Sequence, residues 1–199
     1  MKSPFLVFLL AGHLLAAEQT TEDCMAPDFK HEVILFQDDE ETGSEYKLAI
    51  RHPGADKPLF SRQAGGYAQF NSATTPANFK CLWSPDASFI AIYERQGRYG
   101  GGTFLYSVTG ERVRKIAYPD LTPLIKPHLT AEMHSSWIRP EVWLPDHQLI
   151  LSVIVTQRDE ERGGFRFILT LQLPRADTPS KTAKIVSFRE DRSINATTK

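Results

Sequence analysis

Residues 83–86 read Trp-Ser-Pro-Asp, and this turn sequence leads into an apolar run at 87–94, a glycine-rich stretch and a second apolar run at 103–108. Proline fixes φ for a turn, and the aspartate side chain accepts hydrogen bonds from backbone amides just beyond it. The apolar runs are rich in β-branched and aromatic residues between Gly, Pro and Asp, which is typical of strands. The stretch therefore predicts a turn followed by a β-hairpin.

The same layout occurs three times along the chain. The pairs Pro27-Asp28, Pro85-Asp86 and Pro145-Asp146 lie about 60 residues apart, and each is followed by a strand-like run, a polar loop and a second strand-like run. Such a period is typical of proteins that stack one supersecondary unit repeatedly. The alternative is that Pro-Asp is a common turn dipeptide whose spacing agrees by chance.

The second and third copies resemble the blades of TolB-type and WD40-like β-propellers. In those families a Trp-Ser-Pro-Asp turn leads into a strand such as Ile-Ala-Ile-Tyr, which is found here at residues 90–93. The third copy has Leu144 in place of Ser, and the first copy has Met25 in place of Trp. The resemblance covers about 60 of the 199 residues and implies β architecture, not an activity. Three units are fewer than the four to eight blades of a closed propeller, so either the sheets pack in another way or two chains complete a ring.

The sequence therefore predicts an all-β, mainly antiparallel domain over residues 18–192. It would contain three propeller-blade-like hairpin units of about 60 residues, near 25–80, 81–140 and 141–190. Prolines interrupt residues 118–140, and Pro127 limits a helix starting near Asp120 or Thr122 to a turn or two. We expect at most one or two short helices, and a frayed polar tail at 193–199.

Residues 1–17 have the form of a secretory signal peptide. Lys2 gives a positive start, residues 5–15 form a short apolar core, and Ala16-Ala17 offers a small-residue cleavage site. The core is shorter than the about 20 apolar residues that span a bilayer. We therefore predict export to the periplasm or the extracellular space, cleavage near Ala17 and no membrane insertion.

Composition and cysteine content exclude some kinds of site. The 23 Lys and Arg nearly balance the 24 Asp and Glu, so the chain lacks the excess positive charge of a nucleic-acid-binding protein. The two cysteines, Cys24 and Cys81, are an even number in a chain predicted to be exported, which favours a disulfide between them. The alternative is two buried thiols. Neither a zinc site nor a cofactor is expected, because the cysteines have no matched histidine pair.

Two acidic runs, at 38–41 and 159–162, were weighed as metal sites. Hard cations such as calcium need several oxygen ligands, but neither run has the alternating spacing of a calcium loop. Both are interpreted as solvated loop tips. We therefore predict no metal site.

The glycine-rich loop at 95–102 carries the candidate binding residues Arg95, Arg98 and Tyr99. Exposed arginine and aromatic side chains often anchor interfaces, so these three are predicted to contact a partner. The alternative is a flexible hairpin tip without a partner.

The segment at 128–137 is where a nucleophile, a base and a carboxylate lie close in sequence. The candidate catalytic residues are Ser135, His134 and Glu132. A triad is recognised by its geometry in space, and no Gly-x-Ser-x-Gly elbow accompanies these residues. The segment is more simply interpreted as the connection between the second and third units.

The leading functional prediction is a non-enzymatic exported module that binds a protein or an envelope component. One alternative is a secreted or periplasmic hydrolase with a site near residues 128–137. The other is a structural subunit of a homo-oligomer, because open units leave sheet edges that native proteins pair, cover or charge. The sequence names no ligand.

Overall fold

A computed structural model describes residues 18–19, 24–37, 46–65, 78–158, 164–175 and 181–192. The predicted signal peptide, both acidic runs and the predicted C-terminal tail lie outside the described residues, so these four predictions are not tested. Strands dominate the described chain. They are β1 (Glu18–Gln19), β2 (Glu32–Gln37), β3 (Tyr46–Arg51), β4 (Phe60–Gln63), β5 (Phe79–Trp83), β6 (Phe89–Gly97), β7 (Gly100–Thr109), β8 (Arg112–Ile116), β9 (Met133–Leu144), β10 (Gln148–Gln157), β11 (Gly164–Gln172) and β12 (Lys184–Glu190).

One short α-helix occurs in the described part of the chain. This helix, α1 (Thr122–Ile125), is followed directly by a 3₁₀ turn at Lys126–His128. Pro127 lies within that turn and ends the helical segment, since a proline has no amide hydrogen to continue the ladder. The predicted all-β, mainly antiparallel fold with a short helix between the second and third units is confirmed.

The strands form three four-stranded antiparallel meanders. We call β1–β4 the first meander, β5–β8 the second and β9–β12 the third. The second and third join into one eight-stranded sheet where β7 runs parallel to β9, pairing Gly100 with Ser136 and Gly101 with Trp137. The described sheets do not close into a ring.

Each Pro-Asp turn lies between the first and second strands of its meander. The sequence units were instead predicted to begin at that turn and to hold two strands each. The difference arises because β1, β4, β5 and β8 are short. In addition, β8 reads Arg-Val-Arg-Lys-Ile, which carries little of the apolar enrichment by which strands are predicted. The strand β9 is twelve residues long, but Pro140 lies within it, and its start at Met133 corrects the interpretation of residues 128–137 as a connection.

The second meander is the middle layer of the core. Successive side chains of a strand point to opposite faces, and β6 is buried on both. Ile90 and Ile92 belong to a core cluster shared with the first meander, which we call the first interface. Phe89 and Ala91 belong to a cluster shared with the third meander, which we call the second interface.

The first two Pro-Asp turns have the same hydrogen bonds. In the first turn the amide of Ala26 donates to the carbonyl of His31 at 2.8 Å, and in the second the amide of Ser84 donates to the carbonyl of Phe89 at 2.8 Å. The turn carboxylates also act alike: Asp28 accepts from the amide of Lys30, and Asp86 from the amide of Ser88. The residue after each pair lies in the left-handed region, with φ of +57° at Phe29 and +58° at Ala87 and His147.

A tryptophan joins each meander to the one before it. Trp83 Nε1 donates to the carbonyl of Cys24 at 3.1 Å, and Trp143 Nε1 donates to the carbonyl of Leu82 at 3.0 Å. Both acceptors lie three residues before the proline of the neighbouring turn. Each indole also stacks on a ring four residues after that proline: Trp83 on His31 at 6.3 Å and Trp143 on Phe89 at 6.1 Å. We call this combination of a tryptophan hydrogen bond and a ring stack the tether, and it occurs once in each interface.

The predicted disulfide is wrong, because Cys24 and Cys81 are not at bonding distance and no disulfide joins them. Both residues are buried in the core cluster of the first interface. Cys24 precedes the Pro-Asp turn of the first meander, whereas Cys81 lies on β5 of the second. In a chain predicted to be exported, an even cysteine count favours a disulfide, but it does not determine the sulfur–sulfur distance, which a disulfide requires to be about 2 Å.

Candidate functional site

The segment from Tyr118 to Met133 covers one end of the second interface. Leu121, which precedes the short helix α1, and Ile125, its last residue, are buried in the core cluster of this interface. The Asp120 carboxylate accepts hydrogen bonds from the amide and hydroxyl of Thr122, and these bonds lower the pKa of Asp120. The segment is thus held by the apolar contacts of Leu121 and Ile125 with the core and by the Asp120–Thr122 hydrogen bonds near its start.

A cavity of about 850 Å³ lies between this segment and strands β9 and β10, and we call it the apolar cavity. Its walls are mainly aliphatic and include Leu121, Ile125, Leu129, Ile138 and Val153. Three charged residues also line it: Asp120, Lys126 and Glu132. Such a mixture of apolar walls and few polar groups is typical of small-molecule sites.

A second cavity of about 550 Å³ adjoins it, and residues 96–104, which include most of the glycine-rich loop, line it. We call it the loop cavity. Tyr118, Ser136 and Ile138 line both cavities. We call the two together the double cavity. The predicted binding loop and the predicted catalytic segment therefore meet at one site.

Tyr118 forms the wall between the two cavities. Its hydroxyl donates to the carbonyl of Thr103 on β7 at 3.3 Å. Burial raises the pKa of Tyr118, so the hydroxyl keeps its proton at neutral pH. Thr103 in turn donates its hydroxyl hydrogen to the carbonyl of Ile138 at 2.6 Å. These two bonds connect the wall to β7 and β9 of the eight-stranded sheet.

The three candidate binding residues have different environments. Arg95 bonds within the loop, since its Nε donates to the carbonyl of Gly97 at 3.0 Å. Arg98 and Tyr99 are exposed and line the loop cavity, with the guanidinium of Arg98 5.4 Å from the ring centroid of Tyr99. Arg95 therefore shapes the loop, while Arg98 and Tyr99 are exposed at the loop cavity.

Gly101 brings the loop close to the sheet below it. A Cβ at this residue would lie 2.5 Å from the Tyr93 hydroxyl and 2.8 Å from the carbonyl of Glu94, distances that real Cβ atoms do not show. Any larger residue would lift β7 from β6 or displace Tyr93. The neighbouring Gly102 has no such contact, because its nearest neighbour would be the Gln96 side chain at 3.8 Å.

The three candidate catalytic residues each have a different partner. Ser135 is buried, and its hydroxyl bonds that of Thr156 on β10. The His134 ring packs on Tyr99 with centroids 4.5 Å apart. The Glu132 carboxylate pairs with Arg158 at 3.3 Å in the open, both side chains being 71% exposed. The three residues are close in sequence but do not form one catalytic site. His134 instead contacts Tyr99 of the predicted binding loop.

A buried ionic cluster in the first interface was missed by the sequence analysis. Glu94 on β6 is fully buried, and the Arg62 guanidinium of β4 donates two hydrogen bonds to its carboxylate. Arg62 Nε also donates to the Tyr106 hydroxyl at 2.7 Å, and the amide of Gly65 donates to Glu94 Oε2 at 3.0 Å. The signal in the sequence was Glu94, a charged residue at the end of the apolar run 87–94.

Electrostatics in this cluster favour the ionised pair. Desolvation alone would lower the pKa of Arg62, but the hydrogen bonds and charge of Glu94 outweigh it, so the pKa is raised. Burial also raises the pKa of Tyr106. Because every member is hydrogen-bonded to another, we interpret the cluster as a polar network that stabilises the first interface.

Neither a metal centre nor a membrane-spanning helix is found in the described part of the chain. Its His, Cys, Asp and Glu residues form no group of three or more that could hold a metal ion. No described helix is long and apolar enough to cross a membrane. No protein-family model, curated protein sequence or solved structure matches this chain. The double cavity is therefore the candidate site on its geometry alone.

Proposed function

We propose that this chain is an exported, non-enzymatic binding module whose ligand occupies the double cavity. The observation that carries the proposal is that two cavities, of about 850 and 550 Å³, lie side by side and share the lining residues Tyr118, Ser136 and Ile138. Ligand pockets are typically about 300–1,000 Å³, mostly apolar, with a few fixed polar groups. The apolar cavity falls in this range and has this composition.

The engagement of the polar groups supports binding over catalysis. Asp120 is bonded to Thr122, Glu132 is paired with Arg158, and the Tyr118 hydroxyl donates to a backbone carbonyl. Groups held in this way define a shape and an orientation for a ligand. A general base would instead need to reach the proton that it removes.

We further propose that the three meanders are related to propeller blades, as the resemblance implies. Support comes from the four-stranded order of each meander and from the recurring left-handed residue after each Pro-Asp pair. The tether from Trp83 to Cys24 and from Trp143 to Leu82 also recurs. In this view, the chain is a short array with a segment inserted after its second unit.

Export is proposed on the form of residues 1–17 alone. Its test is N-terminal sequencing of the chain recovered from a secreting host. The expected sequence begins near Glu18, and an intact Met1 would contradict export by cleavage.

The ligand site is tested with N-phenyl-1-naphthylamine, a neutral apolar dye whose fluorescence rises when it leaves water. We expect saturable binding to the wild-type chain. Ile138→Trp should abolish it because Ile138 lines both cavities. Met133→Trp, at an exposed residue that lines the apolar cavity, is a second blocking variant if Ile138→Trp folds poorly.

Val142→Trp is the matched control. Val142 lies on the same strand but is exposed and lines neither cavity. Its dye affinity should stay within about twofold of wild type. Equal binding by all folded variants would contradict the assignment of the site.

A further inference from the structure

We propose that the ligand is a single-chain anionic amphiphile, such as a medium-chain carboxylate. Its hydrocarbon chain would occupy the apolar cavity, and its head group would bind Arg98 in the loop cavity. This inference rests on the proposed function and names the ligand class for the same site.

The distribution of charge supports an anionic head group in the loop cavity. Arg98 is the one charged residue in the lining of this cavity. Among the described residues, no carboxylate lies within ion-pairing distance of Arg98, and the side chain is exposed at the rim. The guanidinium fork is suited to a carboxylate, which accepts two parallel hydrogen bonds from it.

The apolar cavity has the opposite character. Its one cation, Lys126, shares the lining with the two carboxylates Asp120 and Glu132. An anionic head group there would be repelled by both carboxylates. The hydrocarbon chain of the ligand would instead be buried against Leu129, Ile138 and Val153. The end of the site near helix α1 therefore suits the hydrocarbon chain of the ligand, and the end near the loop suits its anionic head group.

The boundary between the cavities is formed by Tyr118, Ser136 and Ile138. Ile138 contributes a side chain there, and the Tyr118 hydroxyl is already bonded to the carbonyl of Thr103. We place the hydrocarbon chain across this boundary over Ile138, where the bond of the Tyr118 hydroxyl need not break. A bulky or branched polar ligand would have to break it.

Calorimetric titration with decanoate, decan-1-ol and decyltrimethylammonium tests this inference. All three carry the same hydrocarbon chain, so differences in affinity report the head group. We expect decanoate to bind at least about tenfold more tightly than decan-1-ol, as one charge-assisted hydrogen-bonded pair supplies, and the cation to bind most weakly. Arg98→Met should remove the preference for decanoate and leave decan-1-ol within about twofold of wild type.

Two further variants locate the head group. Arg98→Lys keeps the charge and should retain part of the preference. Lys126→Met removes the cation of the apolar cavity and should leave the preference intact. If Lys126→Met abolishes it and Arg98→Met does not, the proposed polarity is overturned.

The remaining outcomes separate the ligand class from the site. If decan-1-ol and decanoate bind equally and Ile138→Trp blocks both, the anionic class is overturned while the double cavity stands as a binding site. If none of the three molecules binds the folded wild-type chain, this inference is overturned. The dye experiment then decides independently whether the proposed function falls with it.

Discussion

The first and second interfaces are joined by the same tether but filled differently. In the first, a tryptophan hydrogen bond accompanies a close-packed cluster and the buried pair of Arg62 and Glu94. In the second, the equivalent bond from Trp143 accompanies an apolar cluster, a covering segment and a cavity of about 850 Å³. The same contact therefore lies beside a buried ion pair in the first interface and beside a cavity in the second.

Corresponding strand positions make the contrast specific. Trp83 pairs across the strands with Ile90, and Trp143 with Leu149. Four residues further along each strand stand Glu94 and Val153. Glu94 holds a buried ion pair, whereas Val153 lines the apolar cavity. The two corresponding strand positions thus have different roles, an ion pair in the first interface and a cavity wall at the second.

The largest effect should follow removal of the charge in the first interface. Glu94→Gln leaves the Arg62 guanidinium partly buried beside a neutral group, and we expect a loss of about 3 kcal/mol in the free energy of unfolding. Urea denaturation measures it. Glu132→Gln removes an exposed ion pair and should cost less than about 1 kcal/mol. Equal losses in the two variants would show that the buried pair does not fasten the first interface.

The tether should contribute similarly to both interfaces. Trp83→Phe and Trp143→Phe each keep an aromatic ring but lose the indole donor, leaving the carbonyls of Cys24 and Leu82 without that bond. We expect each to cost about 1–2 kcal/mol, and the double variant to cost the sum because the sites lie in different interfaces. Thermal denaturation of the three variants measures this. A cost confined to one tryptophan would break the proposed equivalence.

The smallest effect concerns pH and the turn that borders the second interface. Burial would raise the pKa of Asp86, but hydrogen bonds from Ser84, Ser88 and His147 outweigh it and lower the pKa from 3.8 to about 2. A lowered pKa in the folded state stabilises the fold above the ordinary value. That stability is lost as pH falls from about 4 towards 2.

Asp86→Asn should therefore reduce stability by less than about 1 kcal/mol at pH 7, because the carboxylate is half exposed and screened by solvent. The difference from wild type should vanish near pH 2. Asp28→Asn, at the corresponding turn of the first meander, is the matched variant. A difference that persists unchanged at pH 2 would show that the loss is not electrostatic.

The strands and turns were predictable because their causes are local. Alternation of apolar residues and the Pro-Asp pairs mark β2, β6, β7, β10 and β11, and Pro127 limits the helix. The strand β8 was missed because its residues are mainly basic. The ion pair of Arg62 with Glu94 was missed because it joins residues 32 positions apart, which no local pattern encodes.

The candidate site was predictable only in pieces. The sequence drew attention to the loop with Arg98 and Tyr99 and, separately, to the segment with His134. Their meeting depends on the parallel pairing of Gly100 with Ser136, which brings Tyr99 against His134. The disulfide prediction failed for the same reason, since distance between residues in different meanders follows from packing rather than from composition.

The order of the strands has a consequence for how the chain acquires its fold. Within the described meanders every antiparallel pair joins strands that are consecutive in sequence, so the loops that must close are short. Domains generally form from the N-terminus as the chain emerges. We expect the meanders to form in sequence order, so that Trp83 of the second and Trp143 of the third each bond a carbonyl already in place. Assembly would then proceed in one direction, with the double cavity completed last.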